Sequence, residues 1–158
     1  MIAVVIVMGS ASDRPVMQVA EETLAGLGVE FEVKVLSAHR TPDALREWVR
    51  GLEERGVKVV IAAAGGAAHL AGAIAAHTTL PVIGVPLASA NAIGGGLDAL
   101  LSTVQMPRGV PVATVAVGEA GAANAAILAV QILATADPAL GGRIKTMRET
   151  MALKVLGG

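Results

Sequence analysis

The sequence predicts an α/β domain built on a parallel sheet with helices covering both faces. Three observations carry that expectation. Apolar runs of strand length alternate with helical segments along the whole chain. The runs are apolar at consecutive positions rather than at every second one, which is the mark of strands buried on both faces. Gly, Pro and capping polar residues punctuate the junctions. At 158 residues the chain reads as one domain, 1–158, with no repeat or low-complexity linker.

The elements follow in order. Ala3–Met8 is the first strand, and a helix from Arg14 to Leu27 ends at Gly28. Phe31–Leu36 is the second strand. Thr41 stands as N-cap with Pro42 at the first helical position, where its missing N–H costs nothing. The clearest amphipathic helix then runs over Asp43–Arg55 and closes at Gly56. Val57–Ala63 and Val82–Val85 are buried-type strands flanking a short Ala-rich helix over Ala67–Ala76. Leu97–Val104 is helical, Pro111–Val117 is a fifth strand, and Ala120–Ala136 is a helix that is apolar on nearly every face. Asp137 caps a last helix, with Pro138 in its first turn, running to about Val155.

Composition narrows the function classes. A net charge of −1 and an isoelectric point near 6.3, with no basic stripe, argue against nucleic acid as a partner. The absence of cysteine removes disulfides, thiolate zinc sites and cysteine nucleophiles together. No basic leader with an apolar core is present, so a cytoplasmic protein is the expectation. Hydrophobic residues make up 54% of the chain, charged residues 16%, and the mean hydropathy is +0.67. That is too apolar for a soluble monomer of this size. Either the chain enters a membrane or it buries surface against copies of itself.

The membrane alternative rests on Val59–Leu97, which contains no Asp, Glu, Lys or Arg. It fails on punctuation. Gly65-Gly66 splits a strand-like part from a helix-like part, His69 lies mid-segment, and Pro81 and Pro86 bracket another β-branched run. In lipid such breaks leave backbone groups unpaired. No membrane is expected. Self-association is, because a helix apolar all round, as over Ala120–Ala136, must be covered all round. The terminal helix, residues 137–156, is long enough to reach across a subunit boundary.

The chemistry gathers in loops that follow strands, at the sheet edge where parallel α/β proteins bind ligands. Gly9-Ser10-Ala11-Ser12-Asp13 offers a glycine turn, two hydroxyls and free N–H groups at a helix start. That is a phosphate cradle in physical terms or, equally, an ordinary Ser/Asp cap. Ser37-Ala38-His39-Arg40-Thr41-Pro42 puts a titratable base beside a fixed cation in the next such loop. Arg14 and Arg108 add cations in loops read as belonging to the same edge. Asp13 fits sugar hydroxyls better than phosphate, since like charges repel. No Walker lysine motif and no G-x-G-x-x-G follows a strand, so a phosphorylated sugar or mononucleotide is the economical ligand.

His39 is the candidate general acid and base, because an imidazole titrates near pH ~6.5 and exchanges protons at neutrality; a structural loop histidine is the competing reading. His69, in Gly65-Gly66-Ala67-Ala68-His69-Leu70, opens a helix, where a protonated ring is disfavoured, so it reads as a neutral hydrogen-bonding partner. His77 closes a helix and takes no role. The three histidines lack metal-ligand spacing, so no metal is expected. Ser10 lacks a nucleophile elbow.

Five motifs in order carry a resemblance: Val5–Asp13, Ser37–Pro42, Ala64–Leu70, Pro81–Pro86 and Val104–Pro111, continued by Gly121-Ala122-Ala123-Asn124-Ala125. Together they resemble the catalytic subunit of the phosphoribosylaminoimidazole carboxylase family, the class I PurE or N5-carboxyaminoimidazole ribonucleotide mutase branch, over essentially the whole chain. The resemblance implies a three-layer, flavodoxin-like αβα fold with a five-stranded parallel sheet and an extra C-terminal helix. It implies an isomerase of de novo purine (IMP) biosynthesis that moves a carboxylate from N5 to C4 of an aminoimidazole ribonucleotide, with no cofactor. It also implies a homo-octamer whose terminal helix packs on a neighbour. By motif, His39 is the catalytic proton shuttle. Ser10, Arg40 and Ser37 hold the 5′-phosphate and Asp13 the ribose, with Ser12 and Ala38 also contacting substrate. Gly65, Ala68, His69 and Leu70 line the pocket for the migrating carboxylate. Two departures stand out: Leu70-Ala71-Gly72-Ala73 replaces the family's Leu-Pro-Gly-Met, and the loop Ser89–Gly96 is richer in glycine. The alternatives are direct carboxylation by CO2 and a non-catalytic phosphometabolite-binding domain.

Overall fold

The structure, a computed structural model, describes residues 2–157. Strands β1 (Val4–Met8), β2 (Phe31–Val35), β3 (Val59–Gly65), β4 (Val82–Leu87) and β5 (Ala113–Thr114) form one sheet. Their order is β2-β1-β3-β4-β5, and every pairing is parallel. The helices are α1 (Arg14–Gly26), α2 (Pro42–Arg50), α3 (Leu70–Ala75), α4 (Leu97–Val104), α5 (Glu119–Ala134) and α6 (Pro138–Gly157), with 3-10 turns at Ala11–Asp13 and Ile93–Gly95. This is the three-layer, flavodoxin-like arrangement.

The consecutive apolar runs explain the layers. Val4, Ile6 and Met8 of β1 enter a core shared with Met17 and Leu24 of α1, Ala122, Ala125, Ala126, Ala129 and Val130 of α5, and Leu140 and Ile144 of α6. Val5 and Val7 enter the opposite core with Leu45 and Val49 of α2 and Leu70, Ala71 and Ile74 of α3. Each Val, Leu, Ile or Met among them taken from water contributes about 1.5–3 kcal/mol. Helix α4 lies on this second face: a Cβ on Gly84 of β4 would strike Thr103 and approach Ala71.

Several elements differ from expectation for local reasons. Helix α2 ends at Arg50 rather than Arg55; Gly51 caps it, and the chain turns so that Leu52 is fully buried. Helix α3 begins at Leu70 because Ala68 and His69 are held in a tight turn by Gly66 and Ala67 carbonyls. Strand β5 shrinks to two residues. The Gly84 and Pro86 carbonyls of β4 accept from Val115 and Gly118 on its β5 side, and Pro86 has no N–H to continue the ladder. Helix α5 is covered within this chain on one side only, with Ala120 and Asn124 exposed and Ile127 and Gln131 half-buried on the other. It is packed against α1, α6, β3 and β4 within this chain, and Gly121 sits so close to Ala116 that a Cβ would run into the Ala116 carbonyl. The large exposed apolar side chains lie elsewhere: Leu97, Leu101 and Val104 of α4, Ile93 before it, and the far end of α6, where Val155 and Leu156 are each 83% exposed. Among the described residues no helix is long and apolar enough to cross a membrane. The segment that raised that alternative is β3, α3 and β4.

Candidate active site

The strand order reverses between β1 and β3, and ligands in open parallel sheets bind at that switch point, beyond the carboxyl ends of the strands. Small side chains at the end of β3 leave space there. A cleft of about 370 Å³ opens over Ala64, Gly65, Gly66 and Ala67, between the loops that follow β1 and β2.

The β1 loop supplies Gly9, Ser10, Ser12 and Asp13. Ser10 caps the short turn: its Oγ accepts from the Ser12 N–H at 3.3 Å and lies 2.9 Å from the Ser12 hydroxyl. Asp13 reaches back, its Oδ2 accepting the Ser10 N–H at 3.1 Å. The capping box is therefore real, and it aims both hydroxyls and one carboxylate at the cleft wall. Burial pushes the Asp13 carboxyl above its ordinary range, against the Ser10 N–H and the Arg40 guanidinium, which both pull it down.

The β2 loop is a compact hydroxyl-locked turn. Thr41 occupies the N-cap position of α2 without capping it. Its Oγ1 instead accepts from the Ser37 N–H at 2.9 Å and donates to the Ser37 carbonyl at 3.0 Å. Ser37 Oγ in turn accepts the Arg40 N–H at 3.1 Å. The turn thus throws Ala38, His39 and Arg40 into the cleft, and Arg40 spans to the β1 loop, donating to the Gly9 carbonyl at 3.1 Å.

The structure gathers Ser10, Ser12, Asp13, Ser37, Ala38, His39, Arg40, Gly65 and Leu70 on one cleft. Ala68 is buried behind it, its N–H donating to Ser102 Oγ at 3.0 Å. His69 stands beside His39 instead of on the wall: His39 Nε2 and His69 Nδ1 are 2.9 Å apart, with the rings nearly perpendicular. The expected crowd of cations does not form. Arg14 turns along α1 to Glu21 at 3.2 Å, and Arg108 lies between α4 and β5, in a loop that enters β5 from its amino end. Arg40 is the arginine that lines the cleft.

Sequence reasoning passed over Ser89, which lines the cleft from the loop after β4, and Ser102. Position after a strand was the available signal for Ser89. Ser102 had a weaker one, a hydroxyl pair with Thr103 inside an otherwise apolar helix. Its Oγ accepts from Ala68 and donates toward the Asp98 carbonyl at 2.7 Å, so it ties α4 to the β3 loop.

Fold and cleft define a class: a flavodoxin-like α/β protein that collects two histidines, an arginine, a carboxylate and hydroxyls at its topological switch point. The comparisons with known proteins make this specific. The family model for AIR carboxylases matches residues 3–154, and the chain belongs to that family. An N5-carboxyaminoimidazole ribonucleotide mutase of Escherichia coli (strain K12) is 55% identical over 153 residues, covering 97% of this chain and 89% of the relative. Mutases of Vibrio vulnificus and Bacillus subtilis are each 54% identical over 151 residues, covering 96% of this chain and 92% of theirs. The crystal structure of Treponema denticola PurE superposes with a TM-score of 0.87 at 27% identity, covering 99% of this chain and 96% of that one.

Proposed function

We propose that this chain is an N5-carboxyaminoimidazole ribonucleotide mutase of purine biosynthesis. The observation that carries the reading in the structure is the convergence of Ser10, Asp13, Arg40 and His39 on one cleft. In this reading Arg40 and the Ser10 and Ser37 hydroxyls hold the 5′-phosphate, with Ser12 and Ala38 beside them. The spare oxygen of Asp13 takes a ribose hydroxyl. Gly65 and Leu70 bound the space for the migrating carboxylate, with Ala68 and His69 behind them.

The reaction is a balanced exchange. The N5–carboxylate bond breaks, CO2 departs, and N5 gains a proton. The resulting electron-rich ring attacks CO2 through C4, and C4 then loses its proton to restore aromaticity. A single acid–base group that gives the first proton and takes the second ends where it began, and His39 is that group. The alanine and glycine floor at Ala64–Ala67 leaves room for CO2 without offering it a nucleophile, so recapture is a matter of proximity. A phosphorylated substrate does not cross a bilayer unaided, so the reading places the enzyme in the cytoplasm.

The exposed apolar rows on α4 and at the end of α6 support a homo-oligomer, an octamer in our reading, in which neighbouring copies cover them. The test of the reaction is isotopic. Substrate carrying 13C in its carbamate, generated in situ and incubated with excess unlabelled bicarbonate, should give product that keeps the label. Product carrying mostly unlabelled carbon would instead identify direct carboxylation of the aminoimidazole by CO2.

A further inference from the structure

We propose that His69 is a positioning residue that fixes the tautomer of His39 and thereby makes Nδ1, not Nε2, the nitrogen that exchanges protons with substrate. The inference rests on the mutase reading for its chemistry and on the histidine pair for its geometry.

His39 Nε2 lies 2.9 Å from His69 Nδ1, so a single proton lies between the two rings. His39 Nδ1 and His69 Nε2 bond to no protein group among the described residues. In a neutral imidazole the hydrogen bond at one nitrogen decides which nitrogen carries the proton. If Nε2 is engaged with His69, Nδ1 is the nitrogen left for substrate. The catalytic cycle needs His39 as imidazolium at the start and as a neutral base in the middle. With His69 Nδ1 accepting from His39 Nε2–H throughout, both states keep the same inter-ring bond and only Nδ1 changes. The Nδ1 proton goes to N5 as the carbamate breaks. When the C4–H bond breaks, its electrons return to the ring and the proton lands on Nδ1. The opposite tautomer would force the shared bond to invert on every turnover.

The arrangement is braced from behind. The turn that carries His69 is pinned by the Ala68 N–H on Ser102 and by the Gly66 and Ala67 carbonyls. On the other side the Ser37–Thr41 lock holds the backbone on either side of His39. The two rings come from loops 30 residues apart, and both loops are held independently of the pair.

The test joins spectroscopy with kinetics. Two-bond 15N–1H correlation spectra of histidine-labelled resting enzyme, taken at alkaline pH where imidazoles are neutral, should show His39 with its proton on Nε2. The signal should shift toward a mixture of tautomers in His69→Ala. In turnover, His69→Ala should lower kcat by about 10- to 100-fold with KM within about threefold, a fraction of what a general acid–base group supplies. His69→Asn, whose side-chain oxygen can accept where Nδ1 did, should recover most of kcat. A wild-type His39 carrying its proton on Nδ1 overturns the proposal. So does an effect of His69→Ala on KM rather than kcat, or a His69→Asn variant no better than alanine. A wild type inactive toward the carbamate substrate would sink the mutase reading instead, and the tautomer of His39 is still read from the resting enzyme.

Discussion

Arg40 and Asp13 face each other across the cleft with opposite duties, and each makes a separate prediction. Arg40 bridges two loops, its Nη2 donating to the Gly9 carbonyl at 3.1 Å and its Nε to Ser37 Oγ at 3.5 Å, and its Nη1 donors are left for an anion. Replacing it with alanine should raise KM by about 10- to 100-fold, the worth of one or two charge-assisted hydrogen bonds, with a smaller change in kcat. Initial rates against substrate concentration check this; an unchanged KM would remove phosphate from the Arg40 side of the cleft. Asp13 has a raised pKa in the folded chain, chiefly through burial. The folded state therefore holds that proton more tightly than the unfolded state. Its ionisation costs stability above the folded pKa, and the cost disappears as pH falls through that value toward the ordinary aspartate range. Asp13→Asn keeps an acceptor for the Ser10 N–H and should raise Tm at neutral pH, with the gain vanishing in acid, while substrate binding weakens. Thermal melts across pH decide it, and a variant less stable than wild type at neutrality contradicts the assignment.

Among elements, the loop after β3 depends most on a residue outside the cleft. Ser102 Oγ shares the buried Ala68 N–H with the Gly66 carbonyl and so ties α4 to this loop; Ser102→Ala should remove that tie, leave the donor to Gly66 alone, and cost about 0.5–1.5 kcal/mol of stability. Denaturant unfolding measures the loss, and a change below a few tenths of a kcal/mol would show that the loop holds itself. The same elements mark where sequence reading succeeds. Runs such as Val4–Met8 and Val59–Ala63 are apolar on both parities, which leaves little alternative to doubly covered strands. Proline and glycine placed most helix limits. Reading faltered where long-range pairing overrides local pattern. Pro86 cuts β5 short from the neighbouring strand, and Leu52 is drawn into the core past the end of α2. In the cleft, the order of the motifs put Ser10, Asp13, His39 and Arg40 at one edge. The pairing of His39 with His69 spans 30 residues and has no local signature. Arg108 stands away from the cleft because its loop runs from α4 into the amino end of β5, a direction its local sequence does not disclose.

At the scale of the molecule, the excess apolar composition is only partly spent inside one chain. Both faces of the sheet are covered, as is the side of α5 that packs on α1, α6 and the sheet. The α4 ridge of Leu97, Leu101 and Val104 and the last turns of α6 are not. Helix α6 is anchored through Leu140 and Ile144 and by Arg143, whose guanidinium donates to the Leu27 carbonyl at 2.7 Å. Its end from Met151 onward lies outside that anchor. Deleting residues 151–158 should therefore leave the monomer fold intact and reduce the assembly, as read by light scattering coupled to size exclusion. An unchanged mass would assign the apolar end another role.

The central claim is that His39 performs the proton transfers of a carboxylate migration. The most direct measurement is conversion of N5-carboxyaminoimidazole ribonucleotide, generated in situ, by wild type and His39→Asn, with no ATP and no added bicarbonate. The account predicts rapid conversion by wild type and a loss of about 10²- to 10⁴-fold in the variant. A His39→Asn enzyme that turns over at the wild-type rate would contradict it.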